Sequence, residues 1–133
     1  MVKAGLIGAA VSGLPSTVVT LARGESLLDG ARAAGAIVLP RETRTPVLLA
    51  AAVPVHLALS LGWAAVIARL PRQGAIFGAL CGLAIAALDL GVIGRRIPAI
   101  RALPQKRQWA DHVAYGLSVG WALANWTTWS GKT

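Results

Sequence analysis

The sequence predicts an all-α fold, an integral membrane bundle of four transmembrane helices with a short interfacial helix in the first loop. Three observations predict it. Hydrophobic residues make up 56% of the 133 residues, charged residues make up only 14% against about 25% in soluble domains, and the apolar segments are long enough to cross a bilayer. The length allows one transmembrane domain, residues 1–133. A lone cysteine, Cys81, excludes an internal disulfide framework and a thiolate-rich metal site.

Four segments have the length that a span requires, about 20 helical residues. They are residues 4–22, 47–68, 74–94 and 111–129. The first is diluted by polar residues, and Lys3 with a short apolar run also fits a cleaved signal peptide, with Thr20 and Ala22 placed like a cleavage site. We favour a span, because residues 12–17 interrupt the apolar run early and neighbouring helices can support Pro15.

Residues 25–39 predict a short helix in the first loop. Apolar and charged side chains alternate there at helical spacing, Pro40 stops the helix, and Pro46 opens the next span. An amphipathic helix at the cytoplasmic interface fits this pattern. We prefer a packed linker helix without a membrane-sensing role.

Loop charges predict the orientation. The thirteen basic residues punctuate the apolar runs instead of forming the continuous patch that nucleic acid requires, so no nucleic-acid partner is expected. The first and third loops carry nine of them: Arg23, Arg32, Arg41, Arg44, Arg95, Arg96, Arg101, Lys106 and Arg107. The opposite side carries four: Lys3, Arg69, Arg72 and Lys132. Positive charge accumulates in cytoplasmic loops, which predicts a multi-pass protein of the inner or plasma membrane with both termini outside.

Tryptophan supports the register of the last span. Trp109 lies at one end of it, and Trp126 and Trp129 lie at the other. The separation from Trp109 to Trp129 is about 30 Å in a helix, which matches two interfacial belts.

Glycines at four-residue spacing predict where helices pack closely. Gly74, Gly78 and Gly82 lie on one face of the third span, and Gly116 and Gly120 on one face of the fourth. Small residues let backbones approach in lipid, where hydrophobic attraction between helices is weak. The short third loop predicts that these two spans are antiparallel neighbours, although the same faces would also serve contact between subunits.

Ionisable residues inside spans are costly and are candidates for function. Asp89 follows Gly82 by seven residues and shares its face, while His112 precedes Gly116 by four. Antiparallel packing would bring the two side chains together, with Asp111 as a second acid and Arg95 able to fold back toward Asp89.

Two further polar residues complete the predicted cluster. His56 lies deeper in the second span, where Pro54 frees a backbone carbonyl, and Ser16 lies in the first span at the level of Asp89. A structural clasp between helices and a proton or ion path both fit the cluster, and we prefer the clasp. A metal site lacks ligand spacing, and no catalytic motif or phosphate loop is present, so we expect no metal, no cofactor and no enzyme activity.

Several segments resemble a family of small bacterial membrane proteins of high-GC genomes. They include residues 12–17, 31–35, 55–63, 87–96 and 110–116, with Asp-Leu-Gly at 89–91 and Ala-Asp-His at 110–112 the most specific. The resemblance spans nearly the whole chain. It implies a polytopic inner-membrane protein and no established activity or catalytic residue.

We therefore expect a non-enzymatic membrane protein that acts by packing. It would be an accessory subunit of a larger complex or a self-associating bundle, whose partners are the lipid bilayer and a membrane protein or further copies of the chain. The alternative is an oligomeric channel or proton-coupled carrier that uses Asp89, His112 and His56.

Overall fold

The computed structural model describes residues 1–127, and all regular structure in that part of the chain is helical. The α-helices are α1 (Val2–Ser12), α2 (Leu14–Ala22), α3 (Leu28–Ala36), α4 (Thr45–Ala68), α5 (Ala75–Leu88), α6 (Pro98–Arg101) and α7 (Gln105–Thr127). A π-helical turn (Asp89–Ile93) and a 3₁₀ turn (Gly94–Arg96) follow α5 directly. The all-α prediction is confirmed.

Three helical segments of the described chain are long and apolar enough to cross a membrane. They are Val2–Ala22, Thr45–Ala68 and Ala75–Arg96, with mean hydropathies of 1.6, 1.9 and 2.3. The first consists of α1 and α2, which meet at a break around Gly13, and Pro15 occupies the first turn of α2. Proline is tolerated there because the first helical N–H groups have no intrahelical partner.

The fourth predicted span corresponds to α7, which is less apolar than the other three. It begins at Gln105, earlier than the predicted residue 111. Asp111, His112 and Asn125 lower its hydropathy, and α7 is not among the segments that qualify by length and composition. Residues 128–129 of the predicted span, including Trp129, lie outside the described residues.

The first loop contains the predicted helix, shorter at both ends than residues 25–39. Helix α3 covers Leu28–Ala36 and packs against α4. A Cβ atom at Gly35 would lie 2.9 Å from the Cα atom of Leu48, so the two backbones nearly touch. Helix α3 is therefore packed against the protein, and its role at the membrane stays a prediction.

The two ends of the bundle differ in what they carry. At one end, which we call the turn end, residues 69–74 join α4 to α5. The core lies toward this end and consists of Ala4, Ala64, Ile67, Ile85, Tyr115, Val119, Ala122 and Leu123. At the other end, which we call the loop end, α3 contacts α6. The first and third predicted loops therefore meet at the loop end.

Candidate functional site

The glycine faces of α5 and α7 are in contact within one chain. A Cβ atom at Gly78 would lie 2.8 Å from the Cα atom of Gly120, and one at Gly116 would lie 2.8 Å from the Cα atom of Gly82. The N–H of Gly74 donates to the carbonyl of Gly120 at 3.2 Å. Helices α5 and α7 are therefore antiparallel neighbours, and their glycine faces already contact each other within the chain.

The same contact brings Asp89 to His112. The Nε2 atom of His112 lies 3.6 Å from Oδ2 of Asp89, and both side chains are about one-fifth exposed. The other ring nitrogen, Nδ1, lies 2.7 Å from the carbonyl oxygen of Gln108. A carbonyl only accepts hydrogen bonds, so Nδ1 carries a hydrogen, and Nε2 of a neutral ring then has none. A hydrogen bond from His112 to Asp89 therefore requires a further proton on the pair.

Trp63 is a partner of Asp89 that the sequence analysis did not assign. Its indole Nε1 donates to Oδ2 of Asp89 at 3.1 Å. Helical side chains lean toward the N-terminus of their own helix, so the ring of Trp63 reaches down α4 toward the level of Asp89. The sequence offered one signal for this contact. The indole N–H of Trp63 can donate a hydrogen bond but not accept one, and Trp63 lies on a span next to the one that carries a carboxylate. Three helices, α4, α5 and α7, thus meet at one carboxylate.

The backbone at Asp89 departs from α-helical geometry. Helix α5 ends at Leu88, and Asp89 begins the π-helical turn. Single π-helical turns inside helices occur frequently at functional sites. Arg95 lies in the following 3₁₀ turn and is exposed, with no ion pair to Asp89 in the described chain. The predicted return of Arg95 toward Asp89 is not seen among the described residues, where Arg95 follows the π-helical turn and is exposed.

Asp111 bonds to the first span instead of joining Asp89. Its Oδ1 accepts the backbone N–H of Ser16 at 2.8 Å, and the residue is buried. Ser16 is the third residue of α2, so its N–H is one of the four that a helix start leaves without an intrahelical partner. Asp111 acts as an N-terminal cap supplied by another helix, and a carboxylate is favourable at that end of the helix dipole.

His56 closes the other side of the same break. Its Nε2 lies 2.9 Å from the carbonyl oxygen of Ala9, which also accepts the hydroxyl of Ser12 at 3.3 Å. Ala9 belongs to the last turn of α1, where carbonyls lack an intrahelical partner. The partner of His56 is therefore a carbonyl of the broken first span and not a carbonyl of its own helix. Backbone groups on both sides of the break at Gly13 are thus capped by side chains of neighbouring helices.

A buried tyrosine adds one more link between helices. The hydroxyl of Tyr115 donates to the backbone carbonyl of Ser60 on α4. Gly8 on α1 makes room for it, since a Cβ atom there would lie 2.6 Å from Val119 and closer still to the tyrosine ring. The sequence analysis missed this bond because it depends on which helix lies beside α7.

A cavity of about 700 Å³ opens at the loop end, between α2, α3, α7 and the 94–104 segment. Its lining includes Ser16 but neither Asp89 nor His112. At its edge Arg107 forms an ion pair with Glu25, with Nη2 3.1 Å from Oε1, and donates to Thr20 at 3.2 Å. The guanidinium of Arg107 lowers the pKa of Glu25 below its usual 4.5. The pair ties the end of the first span to the start of α7.

Within residues 1–127, no three His, Cys, Asp or Glu side chains come together as a metal site would require. Comparison with family models, with curated proteins and with solved structures found no match to the chain. The resemblance to small bacterial membrane proteins therefore stays a hypothesis, and function is argued from the geometry alone.

Proposed function

We propose that the chain is a non-enzymatic multi-pass membrane protein with four spans, in which α7 is the fourth. The distribution of side chains carries this proposal. Large apolar residues point outward, with Ile76 82% and Val53 62% exposed, whereas Asp111 is 9% exposed. This is the reverse of a water-soluble protein, in which charged groups face solvent. Lipid is the solvent in which such a surface is stable.

Helix α7 has the two faces expected of a span beside a polar bundle interior. Leu117, Trp121 and Trp126 are exposed, while Asp111 and Ser118 are buried. Asp111 and Ser118 therefore face protein, whereas the exposed face carries apolar and aromatic side chains together with Asn125, whose amide donates to the carbonyl of Trp121 in the same helix. Polar residues of spans almost always face the bundle interior, which supports α7 as a span in spite of its composition.

The loop end is proposed to face the cytoplasm, with both termini outside, in an inner or plasma membrane. Both the first and the third loop line the cavity at that end, so they share one side. Together they hold nine of the thirteen basic residues, and positive charge favours the cytoplasmic side. In this orientation α3 lies at the cytoplasmic interface.

The proposed role is that of an accessory subunit or a self-associating bundle, with lipid and membrane protein as partners. Three ionisable residues of the spans support it, because they bond to neighbouring helices: Asp89 to Trp63, Asp111 to Ser16, and His56 to Ala9. Such bonds hold helices together as a clasp. Because the glycines of α5 and α7 are in contact within the chain, association uses the outer apolar faces instead.

A second candidate, a channel or proton-coupled carrier built from several copies, is favoured by one observation. A hydrogen bond between His112 and Asp89, whose Nε2 and Oδ2 atoms lie 3.6 Å apart, would require a proton beyond the neutral ring and the ionised carboxylate. Uptake and release of that proton would be one step of a proton path, which would extend to His56.

Topology is tested with single cysteines in a Cys81→Ala background. We expect Gly24→Cys and Ala102→Cys to react with an impermeant reagent from the cytoplasmic side, and Arg72→Cys from the outside. A reporter enzyme fused after Thr133 is expected outside. A reporter in the cytoplasm would leave three spans and contradict the role of α7 as the fourth.

Reconstituted vesicles separate the clasp from transport. We expect wild-type protein to carry no pH-driven flux and Asp89→Leu to lose stability in detergent. Proton flux in the wild type that is abolished in a folded Asp89→Asn variant would overturn the clasp and establish the carrier.

A further inference from the structure

We propose that the cavity at the loop end binds the headgroup of an anionic phospholipid from the cytoplasmic leaflet. The proposal rests on the proposed membrane orientation but concerns a site of its own. The volume of about 700 Å³ lies within the range of small-molecule sites, about 300–1,000 Å³. Such a volume accommodates a phosphate, a glycerol and the start of the acyl chains.

The charges of the lining favour an anion once the ion pairs that neutralise two of its three carboxylates are counted. Glu25 is paired with Arg107 of the lining, and Glu42 is paired at 2.8 Å with Arg44, which lies just outside it. Asp29, Arg32 and Arg96 remain in the lining without an ion pair in the described chain. The three carboxylates and three guanidiniums of the lining balance, so Arg44 adds one net positive charge to the site, and two unpaired guanidiniums then stand against one unpaired carboxylate.

The two free arginines come from different elements that meet only at this end. Arg32 belongs to α3 in the first loop and Arg96 to the 3₁₀ turn in the third loop. A guanidinium presents a planar set of N–H donors that matches a phosphate group. Hydroxyls of Thr17 and Thr20 on α2 lie in the same lining and offer additional hydrogen bonds.

Part of the remaining wall is apolar, which favours an amphiphile over a free phosphate. Ile37, Leu48, Ile97 and Leu103 line the cavity beside the polar groups. Leu48 lies in the first turn of α4, where the apolar span begins. In the proposed orientation the cavity is at the depth where headgroups meet acyl chains, and basic pockets between spans on this side of a membrane recognise anionic headgroups.

Binding is measured on the full chain in a neutral maltoside detergent at 0.15 M salt, by counting bound lipids on the intact protein with mass spectrometry. Phosphatidylglycerol is compared with phosphatidylcholine and with soluble glycerol phosphate. We expect wild type to prefer phosphatidylglycerol by about tenfold or more over both. Each basic residue near an anionic lipid contributes about 1 kcal/mol, so Arg32→Gln with Arg96→Gln is expected to weaken binding roughly thirtyfold.

The matched control removes the same charge from the same two loops outside the cavity. Arg41→Gln with Arg101→Gln changes two exposed arginines that are not part of the lining, and we expect less than about a threefold loss. A third variant, Ala99→Trp, fills the cavity without changing charge and is expected to reduce binding as strongly as the loss of the arginines.

Three results would overturn the proposal. Equal losses in the two double variants would show general attraction to basic loops and no site. Equal affinity for soluble glycerol phosphate would identify a free phosphate as the ligand. Phosphatidylglycerol bound no better than phosphatidylcholine would show that the cavity does not select an anion. All three results are measured in detergent and do not depend on the topology experiment. A failure of the lipid-binding proposal can therefore be distinguished from a failure of the proposed membrane orientation.

Discussion

The turn end and the loop end of the bundle join their helices by different means. At the turn end, backbones of α5 and α7 touch through glycine, and the core residues Ala64, Val119 and Ala122 are fully buried. At the loop end, a broken span is capped by Asp111 and His56, and a cavity separates α2 from α3. Close packing stabilises the turn end, whereas hydrogen bonds and charged groups stabilise the loop end.

This difference has a physical cause. Close packing needs small residues that repeat in register on both helices, as glycine does every four residues in α5 and α7. Between the core and the loop end the chain breaks its helices at Gly13 and again after Leu88. Every break leaves backbone groups without partners, and in lipid these must be satisfied by other helices. Polar residues therefore collect where the helices are irregular.

The largest expected effect is at the turn end. Gly78→Leu forces a side chain into the backbone of α7, and overpacking of this kind lowers the free energy of unfolding by about 3 kcal/mol. An unfolding titration in mixed micelles, followed by circular dichroism, measures it. The matched control is Gly62→Leu on α4, where an added Cβ meets nothing within 4 Å. A similar loss in both variants would mean that the glycine contact does not hold α5 to α7.

The next effect lies where the two regions meet. Asp89→Leu leaves the partly buried indole N–H of Trp63 without its acceptor, and an unsatisfied donor of this kind costs about 2 kcal/mol. Asp89→Asn keeps an oxygen that accepts this bond, so we expect it to lose less than half as much. The same unfolding titration distinguishes them. Equal losses would assign the stabilisation to the charge of Asp89 instead of to its bond with Trp63.

A smaller effect is expected from the single hydroxyl that links α7 to α4. Tyr115→Phe removes the bond to the carbonyl of Ser60 and keeps the ring, for a loss of about 1 kcal/mol. Ser118→Ala is the control, because the hydroxyl of Ser118 bonds only within its own helix, to the carbonyl of Tyr115 at 2.8 Å. If both variants lower the free energy of unfolding by the same amount, the hydrogen bond between α7 and α4 contributes no more than a hydrogen bond within α7.

The two regions also differ in what the sequence could predict. The three apolar spans and the pairing of Gly78 with α7 follow from composition and spacing, because both are periodic and local. The predicted approach of Asp89 to His112 follows from the same register, since both residues extend the glycine faces. Regular helix packing can therefore be predicted from the sequence.

The irregular region was not predictable in the same way. The caps supplied by Asp111 and His56 depend on which helix stands beside Gly13, and the turn that separates Arg95 from Asp89 is π-helical. Neither has a periodic signal. The composition of α7 does not decide whether it is a span for a related reason, because polar residues are costly in lipid only if they face it, and their direction is a property of the assembled bundle.

The smallest expected effect is the response of the loop end to acid. Arg107 lowers the pKa of Glu25, so the carboxylate of the folded protein stays ionised below its usual 4.5. A lowered pKa means that the pair stabilises the fold above the unfolded value and that this contribution fades as pH falls through the folded value. We expect amide hydrogen exchange at residues 23–26 to accelerate below pH 4.5, after correction for the intrinsic rate, while α7 near Gly116 stays protected.

Glu25→Gln isolates this response. In this variant, amide exchange at residues 23–26 should be as fast at every pH as it is in the wild type in acid, after the same correction. Glu42 is the matched control, because it has a pKa lowered to about 2 by Arg44 but pairs with a residue of its own loop. Glu25 bridges two helices that are far apart in the chain, whereas Glu42 bridges none, so Glu42→Gln should keep the wild-type acid response at residues 23–26. If Glu25→Gln also keeps it, another group opens the loop end, and the pair with Arg107 does not hold α2 to α7.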